Sequence, residues 1–387
     1  MDILIALTYY RPHTSGLTIY AERIAKAFVQ RGHRVTILTS RYDPSLPKEE
    51  LLEGVRVVRA PVLFRISKGV IMPTFGLIAT KLVREHDVIH LHLPQFDAAG
   101  LALRGRLFKK PTIITYHCDL LMPSGALNWL ANQAVHIMDH IAGLFTHRIV
   151  TYTQDYADHS RFIARFKHKL EVIDPPVILP KAESHEISRF GREHNPQNHH
   201  PVIGMAARFA TEKGVEVLLA AVLEVIERLP NVLVWFAGPY RNILGEELYF
   251  QKLQPRIESL EKQGRWKFLG LLSPQEMAAF YPNLDTLVIP SLNSTEAFGL
   301  VQIEAMMNGV PSIASDLPGV RQPVLRHRHG SIIPIGDAHA LASAIVDIAA
   351  RKKENSGFRD QLLQQYAPDT IAQTYEKVFA AIQKEIG

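Results

Sequence analysis

Glu296 and Glu304 stand eight positions apart on either side of a joint, Ala297-Phe298-Gly299, where a small polar stretch (291–295) runs into a helical run over 300–308. Gly309 ends that run and Pro311 prevents it from resuming. A helix beginning here points its first free N–H groups, those of Phe298, Gly299, Leu300 and Val301, at whatever the loop encloses. With the positive end of the helix dipole they suit a phosphate, and Gly299 lets the backbone come close. A carboxylate beside a phosphate repels it, so Glu296 and Glu304 are better used to accept hydrogen bonds from sugar hydroxyls on either side of a diphosphate. A helix cap for Glu296 and a solvated face for Glu304 fit the same residue types, and the two isolated residues leave both readings open.

A second set of groups fits the same ligand. Arg208 and Lys213 come from a strand end and a helix start, five residues apart, so that both can converge on one anion above a helix N-terminus. Gly16, after the first strand, offers a similar approach to backbone amides. His117, Cys118 and Asp119 follow the strand expected over 112–116, at the carboxyl end where open α/β sheets bind ligands. Cys118 is the one cysteine and is expected to be a buried thiol; it excludes a disulfide framework or a multi-cysteine metal site. The histidines of 181–201 (His185, His194, His199 and His200) match no zinc spacing and read as a solvated loop.

The run E-A-F-G-L-x-x-x-E-A-M-x-x-G-x-P-x-I-A from Glu296 resembles the Glu-x7-Glu region of the retaining glycosyltransferases of family 4, which have the GT-B fold. Arg208 and Lys213 resemble that family's Gly-Arg-x4-Lys-Gly motif, with Ala207 where glycine is usual, and Ser15-Gly16 stands where two glycines are common. The resemblance implies roles. Glu296 would bind donor-sugar hydroxyls and Glu304 the ribose, while Arg208 and Lys213 would neutralise the departing diphosphate. His117 would meet the sugar near its reacting carbon, the backbone at Leu271 and Leu272 would read the base, and Gly238 would form a loop lining the cleft. Pro318 to Gln322 stands where many relatives have a glycine pair and a glutamate, a departure with no physical account.

These groups need strands and helices in alternation, and the chain supplies them twice. Strands are expected over 2–7, 34–40, 55–61, 88–93, 112–116, 148–153 and 169–173, with helices over 18–31, 75–85 and 124–147. The last of these helices has Leu127, Leu130, Ala134, Ile137, Ile141 and Leu144 on one stripe, the pattern of a core-facing side. Asp174 to Pro180 is a stiff linker, after which strands at 202–206, 232–237 and 267–272 and a helix at 215–228 restart the alternation. Ser273 and Glu276 form a capping box for the next helix. The expected architecture is therefore α/β: two Rossmann-like domains, 1–178 and 179–367. The resemblance adds that they face a central cleft and that a terminal helix, 368–387, crosses back to the first domain.

At 387 residues two cores are expected. The start reads as a buried strand rather than a signal peptide, and polar residues within 126–145 keep that segment from spanning a bilayer alone, so a cytoplasmic protein is expected, with the inner face of the cell membrane as its working surface. Residues 1–180 hold 22 Lys and Arg against 15 Asp and Glu, a balance that suits an anionic membrane or phosphorylated acceptor, and equally a solvated surface. Nucleic acid is disfavoured, because the basic half has no platform of aromatic and basic residues. No Asp-x-Asp pair occurs, so no metal and no other cofactor is expected. The function implied is transfer of a hexose from a UDP-sugar or GDP-mannose to an acceptor hydroxyl, lipid-linked acceptors included, in bacterial glycolipid or cell-surface polysaccharide synthesis. An epimerase or phosphorylase on the same scaffold, or a non-catalytic sugar-nucleotide binder, are the alternatives.

Overall fold

The computed structural model describes residues 1–66, 69–121, 125–243, 245–351 and 359–386, without the side chains of residues 66, 126 and 127. The chain divides into two compact units, Met1–Val177 with Gln365–Gly387, and Ile178–Gln364.

The first unit runs β1 (Asp2–Ala6), α1 (Gly16–Gln30), β2 (Arg34–Arg41), β3 (Glu49–Leu52), β4 (Val55–Pro61), β5 (Phe64–Ile66), β6 (Gly69–Ile71), α2 (Phe75–Glu85), β7 (Val88–Leu93), α3 (Ala98–Leu107), β8 (Thr112–Tyr116), α4 (Ala126–Phe145), β9 (Arg148–Thr151), α5 (Gln154–His159) and β10 (Leu170–Val172). Eight of these strands form one sheet in the order β10-β9-β8-β7-β1-β2-β4-β3, parallel except for the edge strand β3. Short apolar runs such as DILIA suit strands covered on both faces, and Ile3 to Ala6 are fully buried. Strand order reverses between β1 and β7, so right-handed crossovers put α1 on one face of the sheet and α2, α3 and α4 on the other. Ser15 caps α1 by accepting from the Thr18 N–H.

The second unit runs α6 (Ser184–His194), β11 (Val202–Ala206), α7 (Val215–Arg228), β12 (Leu233–Ala237), α8 (Glu247–Lys262), β13 (Trp266–Gly270), α9 (Pro274–Phe280), β14 (Thr286–Ile289), α10 (Leu300–Met306), β15 (Ser312–Ser315), α11 (Gln322–His327), β16 (Gly330–Ile333), α12 (Ala338–Ala350) and α13 (Arg359–Gln365). Its six parallel strands lie in the order β13-β12-β11-β14-β15-β16, with the reversal between β11 and β14. Phe209, Val222, Phe236, Ile313 and Ile345 belong to one buried cluster that joins this sheet to α7 and α12. The closing helix α14 (Pro368–Ile386) belongs to the first unit and packs on α1, burying Ile371, Tyr375, Phe379 and Ile382.

Two expectations fail here. The segment read as a solvated loop, 181–201, holds the helix α6, started by a reciprocal capping box of Glu183 and Glu186 and anchored by the buried Phe190. The stripe on α4 faces the wrong way for a core: Leu130, Ile137 and Leu144 are exposed, whereas the inward side carries Asp139 and Ala142. Ser124 and the Leu127 side chain, part of the same reading, lie outside the described residues.

Candidate active site

The second unit gathers its chemistry at its switch point. The loop after β11 carries Arg208 and Lys213, and the loop after β14 carries Glu296. Gly214 brings the two loops together: it is left-handed (φ +69), and a Cβ there would come within 2.0 Å of the Pro290 carbonyl oxygen. The Leu292 N–H donating to the Glu212 carbonyl oxygen at 2.9 Å adds a second tie. Lys213 Nζ thereby reaches Glu296 Oε2 at 2.6 Å, with both side chains largely shielded (17 and 21% exposed). The other oxygen of Glu296 accepts from the Gly299 N–H at 3.0 Å. Glu296 is thus both a cap for the start of α10 and the counter-ion of Lys213, so its cap and ligand readings concern one carboxylate.

Arg208 and Lys213, whose spacing implied convergence on one anion, are each paired with a carboxylate. Arg208 is paired with Glu212, four residues on, and Lys213 with Glu296. Of the N–H groups expected to be free, that of Gly299 is taken by Glu296. Gly299 is the left-handed residue before α10 (φ +77), and its missing side chain makes room for Gln302 Nε2 and Ile289 Cδ1. Phe298 is buried, and Leu300 is the first residue of the helix. Glu304 does not lie on a wet face: it is 6% exposed and accepts from the Tyr281 hydroxyl at 2.6 Å.

β13 ends at Gly270, so Leu271 and Leu272 lie beyond the strand before α9, with Leu271 exposed. Gly238 is needed by the chain itself, because it has φ +132 and a Cβ would come within 2.1 Å of the Ala207 carbonyl oxygen. Gly16 is the opposite case: a Cβ there would meet nothing within 4 Å, so packing within its unit does not require glycine and the space beside it is open.

In the first unit, His117 follows β8 directly, beside the switch point between β1 and β7. It is 7% exposed. Its Nε2 lies 2.8 Å from His92 Nδ1, and its Nδ1 is hydrogen-bonded to the Tyr152 hydroxyl. Burial pushes His117 down to about 3, so the ring is neutral, with one nitrogen donating and one accepting. Both are engaged inside the unit, and the expected sugar contact needs one of them to exchange partners. Deeper in, His90 Nε2 meets Thr115 Oγ1, which meets the Tyr375 hydroxyl of α14, which meets the Tyr20 hydroxyl of α1, each at 2.7 Å. His90 and His92 are fully buried, as core histidines are.

Several of these partners escaped sequence reasoning. Glu212 lies four residues from Arg208, but in a loop, where that spacing is no signal of a pair. Glu246, whose carboxylate accepts from the Thr211 N–H at 2.9 Å and hydroxyl at 2.7 Å and so holds the Lys213 loop, had none, and neither had Tyr152 or Tyr281. Among the described residues no group of three His, Cys, Asp or Glu side chains could hold a metal ion.

With that geometry in view, the comparisons agree with one another. Residues 187–362 match the family glycosyl transferases group 1, and residues 14–179 match glycosyltransferase family 4. An uncharacterized glycosyltransferase of Methanocaldococcus jannaschii is 24% identical, covering all of both chains. A GDP-mannose-dependent alpha-mannosyltransferase of Mycobacterium tuberculosis is 24% identical over 91% of this chain and 89% of its own. The crystal structure of Anabaena HepE in complex with UDP-glucose superposes with a TM-score of 0.78 at 19% identity, covering 98% of this chain and all of that one. That likeness shows the fold, which is GT-B.

Proposed function

Because the chain belongs to the group 1 glycosyltransferases, we propose that it moves a hexose from a UDP-sugar or GDP-mannose to an acceptor hydroxyl with retention of anomeric configuration. The observation that carries this reading is the pairing of Lys213 with Glu296 across the switch point of the second unit. A cation and a sugar-directed carboxylate held together by two loops suit a ligand that brings both a diphosphate and hydroxyls. UDP-glucose in the Anabaena structure and GDP-mannose in the name of the mycobacterial relative support that range of donors.

In this reading the diphosphate takes Lys213 from Glu296 and shares it with Arg208. Glu296 then accepts from sugar hydroxyls and Glu304 from the ribose, while the Leu300 and Val301 N–H groups approach the phosphates. The bond from the anomeric carbon to the phosphate oxygen breaks as the acceptor oxygen bonds to that carbon on the same face. The acceptor's proton passes to the departing phosphate oxygen. Charge that develops on this leaving group is what Lys213 and Arg208 stabilise, the largest catalytic contribution open to such a site. No metal is assigned a step. The acceptor is a hydroxyl of a glycolipid or cell-surface polysaccharide precursor, reached at the inner face of a bacterial membrane.

Thermal shift against UDP, GDP, ADP and their sugars tests the donor, since a ligand at a hundred times its dissociation constant adds about 2.7 kcal/mol to stability. Stabilisation by one nucleotide series, lost in Lys213→Ala, supports the reading; no stabilisation by any of them overturns it.

A further inference from the structure

A surface helix ordinarily turns its polar side to water. α4 does the reverse. Trp129, Leu130, Ile137 and Leu144 are 61, 58, 55 and 54% exposed, and Gln133 between them is exposed and uncharged. At 3.6 residues per turn these positions fall within an arc of about 100° and make a stripe about 22 Å long. The opposite side is committed to packing, with Asp139 buried and Gly143 set against the Phe166 ring, where a Cβ would come within 2.5 Å. Lys169 Nζ donates to the carbonyl oxygens of Gly143, Leu144 and Thr146 at 2.8 to 2.9 Å, closing the helix end and fixing this orientation.

α3 packs beside α4 and continues the pattern, with Leu103 and Leu107 exposed next to Arg106 and Lys109. Exposed Arg165 precedes Phe166, whose ring lies against His140 of α4. Neither α3 nor α4 has an exposed carboxylate: α3 has no acidic residue, and the one in α4 is Asp139. A lone exposed leucine needs no explanation, but an aligned row of large apolar side chains rimmed by cations does. That combination complements an anionic bilayer, in which the apolar side chains enter the interface and the cations meet headgroups. No helix among the described residues is long and apolar enough to cross a membrane, so the surface would lie on it.

We propose that the outer face of α3 and α4 is a membrane-docking surface for anionic phospholipid, with Trp129, Leu130, Ile137 and Leu144 at the level of the headgroup and acyl boundary and Arg106, Lys109 and Arg165 around them. It deepens the proposed function by giving the surface on which a lipid-linked acceptor is met, and it rests on that reading only for the acceptor.

Trp129 provides the readout, because Trp235 and Trp266, the other two of the chain's three tryptophans, are buried (0 and 3% exposed). The full chain is titrated with phosphatidylglycerol vesicles and with phosphatidylcholine vesicles, following tryptophan emission and its quenching by brominated acyl chains. The expected result is a blue shift and quenching with phosphatidylglycerol alone, reversed by salt and absent in Trp129→Phe. Ile137→Glu and Leu144→Glu weaken partitioning by about tenfold or more while melting as the parent does. An unchanged spectrum at low salt, or an equal response to phosphatidylcholine, overturns the proposal. So does a shift that grows with protein concentration without lipid, which would mean that a second copy covers the face. Donor-induced thermal shifts in lipid-free buffer are read alongside; if they persist while the lipid response is absent, this inference fails and the donor reading stands.

Discussion

Glu296→Gln separates the two jobs that the structure gives one carboxylate. The amide keeps an oxygen to accept from the Gly299 N–H but removes the charge 2.6 Å from Lys213 Nζ. At that distance the attraction is about 6 kcal/mol for an effective dielectric of 20 and about 1.6 kcal/mol for that of water. Each side chain keeps about a fifth of its surface in solvent, and desolvation offsets part of the gain, so the lower figure governs. Under the proposed function a diphosphate must displace the wild-type carboxylate but not the amide. Glu296→Gln should therefore bind the free nucleoside diphosphate about tenfold more tightly, as about 1.4 kcal/mol implies, while turning the sugar nucleotide over more slowly. Isothermal titration calorimetry at fixed salt measures the first effect and initial rates the second. Unchanged or weaker diphosphate binding in Glu296→Gln would refute the view that carboxylate and diphosphate compete for Lys213.

Lys213→Ala should lower kcat by about 100-fold or more, whereas Glu304→Ala, which loses binding common to ground and transition states, should mainly raise the donor KM; a Lys213→Ala enzyme with intact kcat would reduce the cation to a binding clamp. Transfer should persist in excess EDTA, and a complete loss restored by magnesium or manganese would show that a metal carries the diphosphate. Burial raises Asp139 to about 8 from an ordinary 3.8, so between those values the folded chain holds a proton that the unfolded chain has released. Stability then falls as pH rises, by about 1.4 kcal/mol per unit where the difference is a full proton. The buried histidines oppose this slope: His90 and His117, pushed down to about 3, contribute stability above about 6.5 that is lost as pH falls toward 3. From 6.5 to 8 Asp139 acts without them, and Asp139→Asn should flatten that part of the denaturation profile; an unaltered slope would mean the carboxyl is ionised in the fold.

Signals that are local in the chain were legible. The polar loop, Gly299, Gly309 and Pro311 marked out α10, and Ser273 and Glu276 form the capping box that their spacing indicates. The alternation gave two parallel sheets because each strand is a short apolar run bounded by turn residues. Helical period reports that a stripe exists, not which side meets the sheet, and that is why α4 was misread: one buried acid and a glycine against Phe166 decide its orientation. α6 was hidden by its polar composition, its single buried anchor being Phe190. The links from His117 to His92 and Tyr152, and from Thr115 to Tyr375, join residues 25, 35 and 260 positions apart, and nothing in local sequence encodes such pairings.

Retention at the anomeric carbon is the central claim, and it can be read without knowing the acceptor, since water can take its place at the donor. The enzyme is incubated with the alpha-linked donor that gives the largest thermal shift, and the released sugar is followed by proton NMR from the first minutes, before mutarotation mixes the anomers. The account predicts that the alpha anomer appears first, and that Lys213→Ala slows its release. The beta anomer appearing first would contradict it.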